Sequence, residues 1–320
     1  MKPSMLTTLA DRSVIGGMAG FTKLGYALRA RTWAPLPKMD GRTVILTGGT
    51  SGLGRAAAEQ LAALGAQVVL VGRNENKAKH AVAEIADATG NDLISYELAD
   101  LSLVNEVNEL ADRLLASHRD IHVVVNNAGA LFNERQETSE GIEISLATNV
   151  LSGFVLTNRL LARLKESAPA RIVNVSSGGM YTQGVSLGNL QWTRGEYDGT
   201  RAYARTKRMQ VILTEMWSDM LEGTGVTANA MHPGWADTPG LEGTLPGFHR
   251  FISPILRTPS QGADTIAWLA ASHEVTWQSG GFYLDREPHV TNVFPGTDLS
   301  AAKRQELWDT LSDIAAQAAP

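Results

Sequence analysis

The chain contains no cysteine. That removes disulfides, thiol catalysis and cysteine-based metal sites together, and it fits a reducing compartment. Charge of one sign is not in excess either: 28 Lys and Arg stand against 33 Asp and Glu, a formal net charge of −5. A nucleic-acid binder would normally carry a basic face, so no nucleic-acid partner is expected. No apolar run approaches ~18 residues, and no membrane-spanning helix is expected. The start of the chain lacks a basic stretch followed by a compact apolar one, so no secretory leader is expected there. Internal repeats and low-complexity tracts are missing, which argues against a solenoid. His232 and His249 have no neighbours at metal-ligand spacing, and no metal is expected. What is present is 320 residues, 43% hydrophobic and 19% charged. That is ordinary for a soluble globular protein and sufficient for a large core; the expected location is cytoplasmic, with membrane-peripheral as the alternative.

Apolar stretches at Thr43–Thr47, Gln67–Val71, Leu93–Leu98, Ile121–Val125, Arg171–Val175, Val226–Ala230 and Gly281–Leu284 read as strands. Helical patterns lie between them, near 55–64, 76–89, 105–117, 139–165, 203–221 and 261–272. Continuous apolar strands separated by helices predict an α/β fold with a doubly wound parallel sheet of Rossmann type, in a single domain. On this reading residues 1–40 form an N-terminal helical extension, 41–290 the catalytic domain and 291–320 a C-terminal helical tail. The extension carries Met5, Leu6, Leu9, Val14, Ile15, Phe21, Leu24 and Leu28 at loose helical spacing, mixed with Arg12, Lys23, Arg29 and Arg31. It is read as short helices packed on the body, with peripheral membrane contact or partner binding as the sharper alternative.

Thr47-Gly-Gly-Thr-Ser-Gly-Leu-Gly54 follows a strand and opens a helix. Its spacing departs from the six-residue dinucleotide fingerprint, but strand, turn and helix are in place, and backbone N–H groups at a helix start suit a phosphate. Gly48, Thr50, Ser51, Gly52, Leu53 and Gly54 are therefore candidate cofactor contacts. The second strand ends in Val71-Gly72-Arg73 with no acid. An acid there would hold a ribose hydroxyl, whereas an arginine pairs with a 2′-phosphate, so NADP(H) is expected over NAD(H). Asp100, followed by Leu101, ends the third strand and is placed to touch the adenine. Asn126-Asn127-Ala128-Gly129 follows the fourth strand and lets backbone approach the adenosine ribose.

Tyr203 and Lys207 are four apart in Tyr-Ala-Arg-Thr-Lys. A free phenol titrates near ~10 and needs a cation to act near pH 7. On a helix this spacing puts the two Cβ atoms roughly 6 Å apart on one face, so the Lys207 ammonium can supply that cation.

Taken in order, Thr47–Gly54, Asn126–Gly129, Asn149, Ser176-Ser177, Tyr203–Lys207 and Pro233-Gly234 resemble the short-chain dehydrogenase/reductase family over about residues 42–240. A closer similarity, in Val175–Met180, Tyr197–Gly199, Lys207–Val211 and Met231–Gly240, is to its dehydrogenase/reductase SDR family member 12-like group. The resemblance implies a catalytic set of Asn149, Ser177, Tyr203 and Lys207. Tyr203 would be the general acid in carbonyl reduction and the base in alcohol oxidation. Ser177, the second of the serine pair, would donate to the substrate oxygen. Lys207 would also hold the nicotinamide ribose, and Asn149 would mark a helix kink in the proton relay. Pro233, Gly234, Trp235 and Thr238 would lie at the nicotinamide end.

Ser177 and Tyr203 are about twice as far apart as the family pattern has them. The insert 180–200 carries Met180, Tyr181, Leu187, Leu190 and Trp192, and it either shapes an apolar pocket or covers the sheet edge. Residues 235–258, with Leu241, Leu245, Phe248, Phe251, Ile252 and Leu256, look like a substrate lid. The expected partner is a small apolar carbonyl or alcohol; a homo-oligomer is compatible with the pattern. Two other functions compete: a non-catalytic nucleotide-binding scaffold, against which the four catalytic residues argue, and a nucleotide-sugar epimerase or dehydratase, against which the glycine spacing and short C-terminal region argue.

Overall fold

Thr43–Thr47 (β1) is buried at every position, which requires helices on both faces of the sheet. The computed structural model describes residues 3, 4, 7, 20–237, 247, 250 and 252–318. A short helix, Lys23–Arg29 (α1), leads towards β1. There follow Gly52–Ala63 (α2), Gln67–Gly72 (β2), Glu75–Thr89 (α3), Ile94–Leu98 (β3), Val104–Ser117 (α4) and Val123–Asn126 (β4). Then come Ile144–Glu166 (α5), Ala170–Val175 (β5), Gly199–Met220 (α6) and Val226–Met231 (β6). Pro259–Ala271 (α7), Phe282–Leu284 (β7), Glu287–His289 (β8) and Ala301–Ala318 (α8) complete the order. Among the described residues the strands form one sheet in the order β3-β2-β1-β4-β5-β6-β7-β8. Ile45 lies in register between Val69 and Val124, both in parallel pairs. The order reverses between β1 and β4, where doubly wound sheets bind ligands at the C-terminal strand ends.

Alternate residues of each strand feed two cores. Ile45, Val69 and Val124 pack with α4, α5, α6 and α8, while Val44, Leu46, Val68 and Leu70 pack with α2, α3 and α7. Local chemistry sets the helix ends. Asn74 caps α3 by accepting from Lys77 N at 2.9 Å, and Gly90, at φ 67°, ends it in the left-handed region. Thr258 and Gln261 form a capping box at the start of α7, with Pro259 in its first turn.

Several expectations shift. The helix expected over 139–165 begins only at Ile144, because Thr138–Gly141 closes a turn with Gly141 N bonded to Thr138 O. Ile121 precedes its strand. The antiparallel edge strand β8 had no sequence expectation; it pairs with β7 across a two-residue turn, Asp285-Arg286. Among the described residues one helix, α5, is long and apolar enough to cross a membrane, yet 67% of its apolar window is buried inside the fold, as a core helix would be.

Candidate active site

Gly48 and Gly52 both have positive φ, 68° and 54°, a region that L side chains rarely adopt. A Cβ on Gly54 would stand 2.2 Å from Gly48 O, so α2 starts hard against the turn. Asn127 fastens the same turn, its Nδ2 donating to Thr47 O at 2.9 Å and to Gly48 O at 3.3 Å. Thr47 Oγ1 accepts from the N–H groups of Asn127 and Ala128 at 3.0 and 3.1 Å. Ser51, the N-cap of α2, makes no side-chain capping bond, and the first turn has no acid. Free N–H groups and the positive helix end make this cradle fit a phosphate, as the expected cofactor requires.

Thr50 leans over Gly72 at the end of β2. Arg73 follows, exposed, with Nη1 3.7 Å from Asp100 Oδ2. Burial acts to raise the Asp100 carboxyl, but hydrogen bonds from the Ser102 hydroxyl and N–H, together with Arg73, leave it below the usual range. Thr50, Arg73 and Asp100 thus lie together at the ends of β2 and β3. The Leu101 side chain is buried in the core, so any contact from that residue must come from its main chain. Thr238 lies outside the described residues, as do Leu241, Leu245, Phe248 and Phe251 of the expected lid.

The four catalytic candidates converge at the next strand ends. Asn149 sits in a π-turn, Ala147–Leu151, within α5. Its side chain is fully engaged: Oδ1 accepts from Ala130 N at 2.8 Å, while Nδ2 donates to Ala130 O at 2.9 Å and Thr206 Oγ1 at 3.0 Å. The two serines separate cleanly. Ser176 Oγ is buried and donates to Lys207 O at 2.9 Å. Ser177 follows β5 and accepts from Gly179 N at 3.2 Å, and its hydroxyl lies near enough to the Tyr203 phenol to act on its pKa. Burial pushes the Tyr203 phenol up, and the Ser177 hydroxyl opposes that. Lys207 Nζ lies 5.5 Å from the Tyr203 ring centroid and donates to Val175 O at 2.9 Å and Gln210 Oε1 at 3.0 Å. Burial lowers its pKa to about 7. A Cβ on Gly129 would stand 3.1 Å from Lys207 Nζ and 3.2 Å from Asn149 Oδ1, so a larger residue there would crowd both.

The insert corrects an expectation. Met180 is wholly buried with Val211, Ala230 and Phe282. Leu190 joins the main core, and Trp192, also buried, has the Arg205 guanidinium 4.2 Å from its ring. These side chains pack inward and do not wall an open cavity, because the first turn of the insert, Gly178–Thr182, folds straight back onto α6.

An unforeseen residue packs beside Ser177 instead. Phe21, from the N-terminal extension, packs edge-on against His232 and Trp235, with centroids 4.4 and 5.8 Å away. Its ring also reaches Gly178, next to Ser177. Its carbonyl accepts from Trp235 N and Arg257 Nε, both at 2.9 Å. Arg257 is itself 1% exposed and fills the space a side chain on Gly234 would need. His232 accepts from Gly234 N at Nδ1, and burial holds its pKa well below the ordinary value. No spacing in the chain addresses Phe21 to this place. Among the described residues no group of His, Asp or Glu could hold a metal.

Comparison with known proteins places this arrangement. The family model for short chain dehydrogenases matches residues 42–245. The chain belongs to the short-chain dehydrogenase family. It is 38% identical to dehydrogenase/reductase SDR family member 12 of Bos taurus over 93% of this chain and 95% of that protein. It is 33% identical to human retinol dehydrogenase 11, covering 87% and 86%. A solved structure from Beutenbergia cavernae, provisionally named an NAD(P) dependent gluconate 5-dehydrogenase and holding NADP at low occupancy, is 26% identical with a TM-score of 0.64. That match covers 78% of this chain and 96% of the other.

Proposed function

We propose that this oxidoreductase interconverts a carbonyl and an alcohol with NADP(H), on a lipophilic substrate. The observation that carries the reading is the convergence of Ser177, Tyr203 and Lys207 at the end of β5, with the Lys207 amine 5.5 Å from the Tyr203 ring and bonded to Val175 O. When bound, the nicotinamide supplies or accepts the hydride. In reduction the Tyr203 hydroxyl gives its proton to the substrate oxygen, and Ser177 donates to that oxygen as negative charge grows on it. Lys207, protonated, stabilises the phenolate left behind. Asn149 holds the 130 loop and the π-turn in place through its three side-chain bonds. A scaffold without turnover has no need of this set; turnover on any carbonyl or alcohol in a broad panel excludes it.

The cofactor preference rests on Arg73, exposed at the end of β2 with no acid beside it in the chain. A guanidinium–phosphate pair contributes about 1.5–3 kcal/mol. NADP(H) should therefore bind roughly ten- to a hundredfold tighter than NAD(H). Titrating both cofactors into the protein checks this, and Arg73→Asp should reverse the order; equal binding in the wild type would contradict it.

Support for a lipophilic substrate comes from the Phe21–Trp235 ring pair, which reaches Gly178 beside Ser177, and from the retinol in the name of one relative. Burying ~200 Å² of apolar ligand would contribute on the order of 5 kcal/mol before association costs. Comparing kcat/KM for decanal and glyceraldehyde tests it: a preference for glyceraldehyde would decide for a small polar site. Leu24 and Leu28, 67% and 56% exposed one turn apart on α1, support the peripheral membrane contact.

A further inference from the structure

Gln210 lies one turn beyond Lys207 on α6, 6% exposed. Its Oε1 accepts from Lys207 Nζ at 3.0 Å, and its Nε2 donates to the main-chain carbonyl of Asn149 at 2.7 Å. That carbonyl belongs to the π-turn, where the regular helical ladder is broken and a carbonyl can look sideways at a neighbour. We propose that Gln210 is a positioning residue for the reaction: its amide ties the Lys207 ammonium to the π-turn, holding the amine in place and favouring its charged form. The inference rests on the assignment of Lys207 to the reaction.

The chemistry asks for both ends of an amide. The oxygen accepts from an ammonium, and a hydrogen bond to the charged form favours that form. The nitrogen donates to a carbonyl, which neither an ionised carboxylate nor a hydrocarbon can do. Asparagine, one methylene shorter, keeps both functions but loses the reach. Burial works against charge at Lys207 and takes its pKa to about 7, whereas an acceptor bonded to the amine favours the ammonium. Among the described residues the groups facing Lys207 are Val175 O from β5, Gln210 and the Tyr203 ring from α6, and Asn149 Oδ1 beyond Gly129. Of these, Tyr203 alone titrates.

The test reads Lys207 directly in the full chain, by NMR of protein labelled at lysine Cε, with the Lys207 signal identified by its loss in Lys207→Arg. Gln210→Leu removes the acceptor and should move the Lys207 midpoint to lower pH. Gln210→Glu keeps the shape and adds an anion, and should move it upward by about one unit or more. The NADPH dissociation constant should follow, weakening in the Leu variant at pH 7–8, where the ammonium fraction falls. Opposite shifts in the two variants support the proposal, because a purely structural role would not give them opposite signs. Midpoints at the wild-type value in folded variants overturn it. If Gln210→Leu does not fold, the near-isosteric Gln210→Glu decides alone: an unmoved or lowered midpoint overturns the proposal. None of these readings needs a substrate, so failure of the carbonyl–alcohol assignment would show separately, as an absence of turnover.

Discussion

Tyr203→Phe should lower turnover by about 10³-fold while leaving NADPH binding nearly unchanged. The substitution removes one oxygen and keeps the ring that Lys207 lies against. Its direct loss is the transferable proton of the phenol, which lies beside the Ser177 hydroxyl. Ser177 can still donate to a substrate oxygen, and the phosphate cradle at Gly48–Gly54 is untouched. The effect therefore falls on kcat, with KM for NADPH little altered, as expected when an interaction made only in the transition state is lost. Lys207→Ala should differ in kind, damaging cofactor binding and turnover together, because one amine serves both. Steady-state kinetics with both variants, beside an NADPH titration, separates the two patterns. Turnover in Tyr203→Phe within a few-fold of wild type would remove the phenol from the chemistry.

The residues of the site were legible where their chemistry is local. A strand, a turn needing glycine at positive φ and a helix start are contiguous at Thr47–Gly54, and the pattern carries its own geometry. Tyr203 and Lys207 share a helix face by spacing alone. Legibility fails where a side chain's direction depends on distant partners. Met180, Leu190 and Trp192 are apolar in the sequence whether they face a pocket or the core, and the fold turned them to the core. Gln210 reads as an ordinary polar helix residue until its neighbours are known. Phe21 is one apolar residue among several in a loosely patterned stretch, and its place is fixed by backbone bonds to Trp235 and Arg257, more than 200 positions away. The β7–β8 hairpin escaped for a related reason. A two-residue turn with both residues at positive φ normally carries Asn, Asp or Gly, and although Asp285 at 53° fits that pattern, Arg286 at 63° does not.

That turn is held by partners far along the chain. Arg286 pairs with Asp264 at 2.8 Å through two nitrogens, places its guanidinium 4.4 Å from the Trp33 ring and donates to Ala34 O at 3.1 Å. Asp285 accepts from Arg29 and from both terminal nitrogens of Arg257. Arg257 in turn donates to Gly20 O and Phe21 O. One carboxylate thus compensates a wholly buried guanidinium and fastens the segment that brings Phe21 to Gly178. Asp285→Ala should cost about 3–5 kcal/mol, because it strands the Arg257 charge away from water. Arg29→Ala should cost far less, since Arg29 is a quarter exposed and its loss still leaves Asp285 paired with Arg257. Thermal denaturation ranks the two. Limited proteolysis should show cleavage within residues 20–33 in Asp285→Ala before the rest of the chain is cut, as this segment loses its anchor. If the two variants melted together and residues 20–33 stayed protected, the pair would be incidental and Phe21 would be held by its backbone bonds alone.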